Sequence, residues 1–444
     1  MTTVTSVRPR TGRMTELVLL LFAVGIVVLA YVNVGVATSG QLPTDLLTHT
    51  LGLLVTALAF HVVLRWRASY ADPLLLPIAT LLNGLGLVMI HRIDLAQGTA
   101  VASRQLVWSA LAVLAAAVVV AVVRDHRILR RYTFLAMAAG IVLMLLPMLP
   151  VIGEEQYGSR LWISIGAFSF QPGELAKILL AVFFAGYLVQ TRDALSLVGK
   201  RFLGLQLPRG RDLGPILAAW LLSLLILVGQ RDLGSSLLFF GLFVAMLYVA
   251  TERVSWIVIG LGLFLGGAYL AWRMFSHVQT RVTLWLDPFS SDVSDQVARG
   301  LMGMAHGGLL GTGLGRGYPQ ETYLANSDYI FASFAEELGL VGVFALLLLY
   351  ALLVERGLRT GIGAREGFGK LLAAGLAFSI GLQCFVVLGG ITRVIPLTGL
   401  TTPFMSAGGS SLLANWIILA LLLRISDHAR RPVPERAAEE VAAA

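Results

Sequence analysis

Long apolar runs constrain this chain more than any other feature of its sequence. Stretches of about 20 apolar residues recur about twelve times in 444 residues. They lie near 16–36, 48–66, 73–91, 104–123, 133–152, 174–190, 214–229, 234–251, 255–273, 330–354, 368–390 and 408–425. A helical run of this length crosses the hydrocarbon core of a bilayer. The sequence therefore predicts an all-α polytopic integral membrane protein with about twelve transmembrane helices.

The overall composition excludes a soluble globular fold. Hydrophobic residues make up 57% of the chain and charged residues only 13%, whereas soluble domains carry about 25% charged residues. A single core could not hide this much apolar surface from water. The lone cysteine, Cys384, lies inside an apolar run, which excludes a disulfide framework and a cysteine-based metal site. Lipid is therefore the expected solvent for most of the chain.

The distribution of basic residues predicts the orientation. With both termini in the cytoplasm, the inner segments carry 23 of the 33 Lys and Arg residues and the outer segments nine. The net charge of +8 then faces anionic headgroups of membrane lipids, and no nucleic-acid partner is expected. The first run is too long for a signal peptide and lacks a small-residue cleavage site, so we interpret it as a membrane span. The long segment 274–329 is predicted to be extracellular.

Polar residues beside the apolar runs are the first candidates for function, because they are costly at membrane depth. Glu174 and Lys177 are three residues apart near the start of a helix, so they share a face and can pair. This pair is either structural or part of a polar site. Asp232 interrupts two runs, in a tight outer turn or at a polar cavity. Asp328, Glu336 and Glu337 stand at the mouth of one helix and are predicted to point into the bundle.

The predicted extracellular loop is longer than 50 residues, and loops of this length are usually functional. It contains a set of charged and polar residues, namely Arg281, Asp287, Asp292, Asp295, Gln296, Arg299 and His306. Its glycine run, 307–317, superficially matches a nucleotide-binding fingerprint but follows no βαβ unit. We expect these glycines to let the backbone bend or approach another segment closely. His306 is more typical of a packed or solvated residue than of a metal ligand.

A segment rich in Pro and Gly, 389–411, breaks the last pair of apolar runs. Irregular backbone at membrane depth is tolerated only when it is buried in protein or lines a cavity. These features together indicate a polar cavity that opens towards the extracellular loop. A transporter, an enzyme acting on a lipid-linked substrate and an assembly scaffold all remain compatible with such a cavity.

The same clusters, in the same order, resemble the SEDS family of RodA- and FtsW-type peptidoglycan glycosyltransferases. The matching stretches are Arg160-Leu161-Trp162-Ile163, Gln171-Pro172-Gly173-Glu174, Gln230-Arg231-Asp232-Leu233-Gly234, Asp328-Tyr329-Ile330-Phe331-Ala332 with Glu336-Glu337-Leu338-Gly339, and Pro403-Phe404 with Gly408-Gly409-Ser410-Ser411. Departures include Gly173 for a Ser, Arg231 for a Pro, Asn326 and Ser327 for His-Thr, and Ala407 for a Tyr. Thr398 replaces a Lys frequent in FtsW-type members and favours the RodA branch.

This resemblance implies a division of the chain. Residues 73–425 would form the SEDS core, and 16–72 would add two N-terminal spans, as in actinobacterial members. Residues 1–15 would be a cytoplasmic segment and 426–444 a disordered cytoplasmic tail. The implied activity is the polymerisation of lipid II into glycan strands at the outer face of a bacterial plasma membrane, for elongation and shape. A class B penicillin-binding protein would be the partner and transpeptidase. A lipid II flippase and a non-catalytic scaffold are the alternatives.

The resemblance also implies site roles. The family's catalytic base is an Asp of the outer loop, which corresponds here to Asp292, with Asp287 and Asp295 as alternatives. The expected substrate- and diphosphate-binding residues are Arg160, Glu174, Lys177, Arg281, Gln296 and Arg393. Asp232, Asp328, Glu336, Glu337 and Ser410 are expected to be structural or to line the cavity. A divalent cation, Mg²⁺ or Mn²⁺, is compatible with the chemistry, but the sequence contains no evident set of ligands for it.

Overall fold

The computed structural model describes residues 11–432 except for 151, 157–158, 166–167, 197–200, 203–204, 207–213, 215–217, 219, 223–224, 227, 231 and 290–294. The helices are α1 (Arg13–Ser39), α2 (Leu46–Arg67), α3 (Leu75–Gln97), α4 (Val101–Val122), α5 (Ile128–Arg131), α6 (Thr133–Leu145), α7 (Pro172–Ser196), α8 (Leu233–Thr251), α9 (Ser255–Met274), α10 (Ser276–Leu286), α11 (Asp295–Gly307), α12 (Ile330–Gly363), α13 (Gly367–Ile391) and α14 (Gly409–Arg430).

Ten helices in the described part of the chain are long and apolar enough to cross a membrane. They are α1 to α4, α7 to α9 and α12 to α14, and they agree with ten of the predicted runs. A shorter apolar helix covers Thr133–Met148, and the remaining predicted run, 214–229, lies largely outside the described residues. The helical, multi-pass class predicted from the sequence is therefore confirmed.

The helical bundle also carries a small amount of sheet that the all-α prediction did not include. Three antiparallel strands follow α6, namely β1 (Gly153–Gln156), β2 (Ser159–Ile165) and β3 (Phe168–Phe170). A second pair consists of β4 (Arg201–Phe202) and β5 (Leu205–Gln206). The predicted run 133–152 ends as a helix at Leu145, because Pro147 and Pro150 do not support a continuing helix. A 3₁₀ turn, Leu146–Met148, leads towards β1.

The predicted extracellular loop is a folded cap rather than an irregular segment. It contains α10, α11 and a 3₁₀ turn at Pro319–Glu321, and α11 packs against α12. The cap meets the end of α3, where Arg92 donates a hydrogen bond of 2.7 Å to the Gly317 carbonyl. We call this end of the bundle the outer end, following the sequence prediction, and the opposite end the inner end.

The glycine run docks into a break in α12, which is a continuous apolar run in the sequence. Gly339 interrupts the helix with a φ of 67°, and the Leu340 N–H donates to the Gly308 carbonyl at 3.0 Å. In return, the Gly313 N–H donates to the Glu337 carbonyl at 2.9 Å. A Cβ atom at Gly311 would overlap the Glu337 carbonyl. The predicted close approach of the glycines to another segment is therefore confirmed.

The inner end is fastened by ion pairs between the α2–α3 turn and the last helix. The Asp72 carboxylate lies 2.6 Å from the guanidinium groups of both Arg356 and Arg430. The Tyr70 N–H donates to the Asp427 carboxylate at 2.9 Å. Asp427 in turn pairs with Arg431 at 2.8 Å. These contacts hold α3, α12 and α14 in register at the end away from the cap.

Candidate active site

The broken segment between α13 and α14, residues 392–408, passes through the centre of the outer end. Its backbone is bonded by side chains of the surrounding helices. The Gln383 Nε2 donates to the Thr401 carbonyl at 2.8 Å, and the Gln105 Nε2 donates to the Ser406 carbonyl at 3.0 Å. The Tyr350 hydroxyl donates to the Pro403 carbonyl. The irregular stretch 400–406 is therefore embedded in protein, as the sequence predicted.

The predicted pair Glu174–Lys177 exists and has a third member that sequence reasoning missed. The Lys177 Nζ lies 3.0 Å from Glu174 Oε2 and donates to Gln383 Oε1 at 2.9 Å. Lys177 is only 2% exposed. Because Gln383 also bonds the Thr401 carbonyl, the ion pair is linked to the broken segment. Gln383 is a polar residue within an apolar run, and this feature of the sequence could have identified it as a candidate.

Arg281, Asp232 and Asp328 converge on the same segment from three different elements. The Arg281 Nη1 of α10 donates to the Thr398 carbonyl at 3.0 Å. Asp232 is buried and caps α8, where its Oδ1 accepts from the Ser235 N–H at 2.9 Å. A Cβ atom at Gly399 would stand 3.7 Å from both the Arg281 guanidinium and the Asp328 carboxylate. The described structure thus brings together one cation and two carboxylates.

The charges at this point affect one another. Burial raises the pKa of Asp328 to about 6, against the opposing influence of the Arg281 guanidinium. Asp328 has no cation within 4 Å among the described residues, and the hydrogen bond of Arg281 given above goes to a neutral carbonyl. The Arg281 guanidinium carries five N–H donors in total, so it retains capacity to bind an anion.

Arg393 binds backbone carbonyls at the end of α10. Its Nε and Nη2 donate to the carbonyls of Trp285 at 3.0 Å and Leu286 at 2.9 Å, at the end of α10. The Trp285 Nε1 donates back to the Arg393 carbonyl at 2.9 Å. The Arg393 cation therefore satisfies the last carbonyls of a helix, where positive charge is favourable. Arg281, Arg393 and Gln296 also line a small cavity of about 40 Å³, which we call the arginine cavity.

The three candidate bases follow α10 in the sequence, and the last of them is already part of α11. Asp287 follows α10 directly, is exposed, and its Oδ1 accepts from the Phe289 N–H at 3.3 Å. Asp295 is the first residue of α11. Asp292, the preferred candidate, lies outside the described residues. Gln296 donates to the Tyr323 carbonyl at 2.9 Å and so fixes the start of α11. The choice among the three aspartates therefore remains a prediction.

The other predicted site residues lie apart from this convergence. Arg160 is on β2, where its exposed side chain pairs with Glu155 at 3.1 Å. Glu337 pairs with Arg92 at 3.0 Å and accepts from the Gly315 N–H at 2.8 Å. Glu336 accepts from the Tyr318 N–H at 2.7 Å. The two glutamates point into the protein, as predicted, and they hold the glycine run in place.

Ser410 joins two helices, and the described residues contain no cluster of metal ligands. The Ser410 Oγ accepts from the Gln171 N–H at 2.8 Å, which joins the start of α14 to the residue before α7. Within the part of the chain that the structure describes, no group of three or more His, Cys, Asp or Glu side chains could hold a metal ion. The His306 Nδ1 lies 3.5 Å from Glu336 Oε1 and has an exposed ring.

Comparison with known proteins defines the family. The family described as cell cycle protein, which comprises FtsW, RodA and SpoVE, matches residues 73–431. The chain belongs to this family, as the sequence resemblance implied. The match begins after α1 and α2, so these two helices precede the segment that the family shares.

Individual relatives place the chain within the family. It is 48% identical over 435 residues to the peptidoglycan glycosyltransferase RodA of Mycobacterium tuberculosis, covering 96% of this chain and 93% of that protein. A solved structure on "structural coordination of polymerization and crosslinking by a peptidoglycan synthase complex" is 27% identical, with a TM-score of 0.66, covering 82% of this chain and 99% of that one. Thermus thermophilus rod shape determining protein RodA is 25% identical, with a TM-score of 0.59, covering 82% and 98%.

Proposed function

We propose that this protein is a peptidoglycan glycosyltransferase that polymerises lipid II at the outer face of the bacterial plasma membrane, for elongation and cell shape. The observation that carries the proposal is the convergence of Asp232, Arg281 and Asp328 on residues 398–399 at the outer end. A cation and carboxylates at the mouth of a bundle suit a lipid-linked diphosphate whose sugars lie outside the membrane. The family and the RodA relatives support the same activity.

The chemical step needs a base to take the proton from the acceptor hydroxyl as it attacks the sugar carbon. We assign this role to Asp292, with Asp287 and Asp295 as alternatives. General-base assistance of this kind contributes about 10²–10⁴-fold. Helix α10 ends just before Asp287 and α11 begins at Asp295, and Arg393 and Gln296 hold these two helix ends through the hydrogen bonds given above. These hydrogen bonds fix the two helix ends that come before and after Asp292 in the sequence.

The departing diphosphate develops negative charge, and a fixed cation in a water-poor site stabilises it. Arg281 is the cation we assign to this role, because its remaining N–H donors can bind phosphate oxygens in a bidentate manner. Lys177 is already bonded to Glu174 and Gln383, so it positions the broken segment behind Arg281. Arg393 positions α10, which carries Arg281.

A divalent cation, Mg²⁺ or Mn²⁺, is included in the proposal as a companion of the diphosphate. Mg²⁺ usually keeps several waters and binds one or two carboxylates together with phosphate oxygens. Asp232 and Asp328, both within electrostatic range of Arg281, fit that requirement. When bound, the ion would neutralise charge on the leaving group. We expect chelation by EDTA to lower the polymerisation rate and added Mg²⁺ or Mn²⁺ to restore it, measured as glycan formed per minute.

The partner we propose is a class B penicillin-binding protein, which would cross-link the strands. The support is the similarity to the solved peptidoglycan synthase complex, whose description couples polymerization with crosslinking. This chain would supply the polymerising half of such a complex.

The decisive experiment is the polymerisation of purified lipid II by this protein, co-purified with its penicillin-binding partner. We expect glycan strands from the wild type and none from Asp292→Ala, with both proteins inserted and folded. Asp287→Ala and Asp295→Ala are the matched comparisons, and activity lost in one of them alone would move the base there. An intact complex that makes no polymer would contradict the proposal. A lipid II translocation assay would then test the alternative that the protein is a flippase. Activation of the penicillin-binding partner by this chain would test the alternative that it is a non-catalytic scaffold.

A further inference from the structure

A second and larger cavity opens at the outer end, beside the arginine cavity. Its volume is about 550 Å³, within the range of small-molecule sites. It lies between the end of α3, the start of α11 and the turn 320–326. We call it the amide pocket, because Gln97, Gln296, Gln320 and Asn326 are among the residues that line it. None of the roles assigned above uses this space.

The lining of the amide pocket combines polar and apolar groups and is electrically neutral. Its two charged members, Arg299 and Glu321, pair with each other at 3.1 Å. Carboxamides can both donate and accept hydrogen bonds. Ile93, Leu324 and Ala325 add an apolar portion. Such a lining matches sugar hydroxyls and N-acetyl groups, whereas an anionic diphosphate would favour the arginine cavity.

Two local features indicate that the turn 320–326 is built for a ligand. Leu324 has a φ of 56°, a left-handed conformation that is strained for a bulky residue and is found preferentially at functional sites. Two hydrogen bonds hold Leu324 in this conformation. Its carbonyl accepts from the N–H groups of Ser327 at 3.1 Å and Tyr329 at 3.2 Å. In the described part of the chain, the buried Gln320 Oε1 has no hydrogen-bond partner. Buried polar atoms are seldom left unpaired, so this acceptor suits a ligand donor that reaches it.

The amide pocket and the arginine cavity share a wall. Gln296 lines both of them, and its bond to the Tyr323 carbonyl joins α11 to the turn 320–326. A ligand with a neutral sugar part in the amide pocket can therefore extend an anionic part past Gln296 towards Arg281. Lipid-linked disaccharides have this composition.

We propose that the amide pocket binds an N-acetylated sugar unit of the glycan substrate, while the diphosphate lies on the Arg281 side of Gln296. This inference rests on the proposed function for the identity of the substrate. It adds a separate subsite that recognises the sugar without taking part in the chemical step. Removing one carboxamide should therefore weaken binding and leave the chemical step intact.

The first test compares Gln97→Leu and Gln320→Leu with Gln41→Leu, which alters an exposed glutamine in the α1–α2 turn at the same end. We expect each pocket variant to raise KM for lipid II about three- to tenfold, the effect of one lost hydrogen bond, with kcat retained. Glycan strands should also become shorter. Gln41→Leu should match the wild type. Pocket variants with wild-type KM and strand length would overturn the subsite while the polymerase function stands.

A binding readout separates this inference from catalysis. The probes are N,N′-diacetylchitobiose, a neutral N-acetylated disaccharide, and cellobiose, which lacks the N-acetyl groups, observed by saturation-transfer NMR on the purified complex. We expect the N-acetylated disaccharide alone to bind the wild type and Gln41→Leu, and its signal to fall in Gln320→Leu. Equal signals from both sugars, no signal in the wild type, or an unchanged signal in Gln320→Leu would each contradict the subsite. This result is independent of whether lipid II is polymerised.

Discussion

The charged cluster around Asp72 at the inner end differs from the cluster around Arg281 at the outer end. At the inner end, Asp72 has Arg356 and Arg430 at 2.6 Å, and Asp427 has Arg431 at 2.8 Å. At the outer end, among the described residues, no cation lies within 4 Å of Asp328. Inner charges thus neutralise one another at hydrogen-bonding distance, whereas those around Arg281 interact only at longer range.

We expect the closely paired inner cluster to contribute to stability and the cluster around Arg281 to contribute to function. A carboxylate paired with arginine on two sides contributes to the fold and has little capacity left for a ligand. A guanidinium beside a neutral carbonyl and two more distant carboxylates retains its capacity for an anion, and perturbed charges of this kind cluster at functional sites. We therefore expect the chemistry at the outer end, although both ends contain buried ions.

The largest expected effect comes from removing the outer cation. We expect Arg281→Ala to lower kcat/KM for lipid II by about 10²–10³-fold, because a preorganised group that stabilises developing charge contributes about that much. Arg281→Lys should recover part of the rate, since it keeps the charge but loses the bidentate geometry. The measurement is the initial rate of glycan formation by the partner-bound enzyme.

The matched control is Arg316→Ala, which removes an exposed arginine from the same cap. It should leave the rate within about twofold of the wild type, because an exposed charge is screened by solvent and salt. Equal losses in the two variants would show that the cap responds to overall charge, and the contrast between the two ends would then not hold.

A smaller effect, on stability rather than rate, is expected at the inner end. Asp72→Asn should reduce the free energy of unfolding by about 2 kcal/mol, since it leaves two arginines without their carboxylate. The turnover of the folded enzyme should not change. Thermal unfolding in detergent measures the loss. Glu355→Gln, which breaks the exposed pair with Arg359, should cost less than about 1 kcal/mol.

Contacts between residues that are close in the sequence could be predicted, whereas contacts between distant residues could not. The spans could be predicted because the bilayer fixes the length of an apolar helix. The pair Glu174–Lys177 could be predicted because both residues lie on one helical turn. Arg92 and Glu337 are both visible as charges in the sequence, but they are 245 positions apart, so only the tertiary structure identifies them as partners.

The break in α12 illustrates the same limit. Gly339 is one of two glycines, with Gly342, in a long apolar run, and nothing in the sequence predicts that the helix is interrupted at the first of them. The interruption exists because a distant glycine run supplies the missing hydrogen bonds through Gly308 and Gly313. Arg160 is the opposite case. It lies close to Glu174 in sequence, yet a short hairpin carries it to an exposed position.

The smallest effect concerns the half-buried carboxyl of Asp328, whose pKa is raised from 3.8 to about 6 by burial. Because the pKa is higher in the folded state, the stability that the protonated form contributes is present below about pH 4 and is lost as the pH rises through 6. The Asp328→Asn variant has no carboxyl group to ionise at this position, so it does not lose this stability as the pH rises. We therefore expect the variant to match the wild type near pH 4 and to be more stable at pH 7.5, by about 1–2 kcal/mol.

The measurement is thermal unfolding of both proteins in the same detergent between pH 4 and 8. The comparison variant is Asp287→Asn, whose side chain is exposed in the same cap and should show a much smaller difference across that range. An Asp328→Asn variant that is less stable than the wild type at pH 7.5 would mean that the carboxylate is held by a close cation. The outer end would then resemble the inner end, where Asp72 is fixed by two arginines, and Arg281 would have less capacity for a diphosphate.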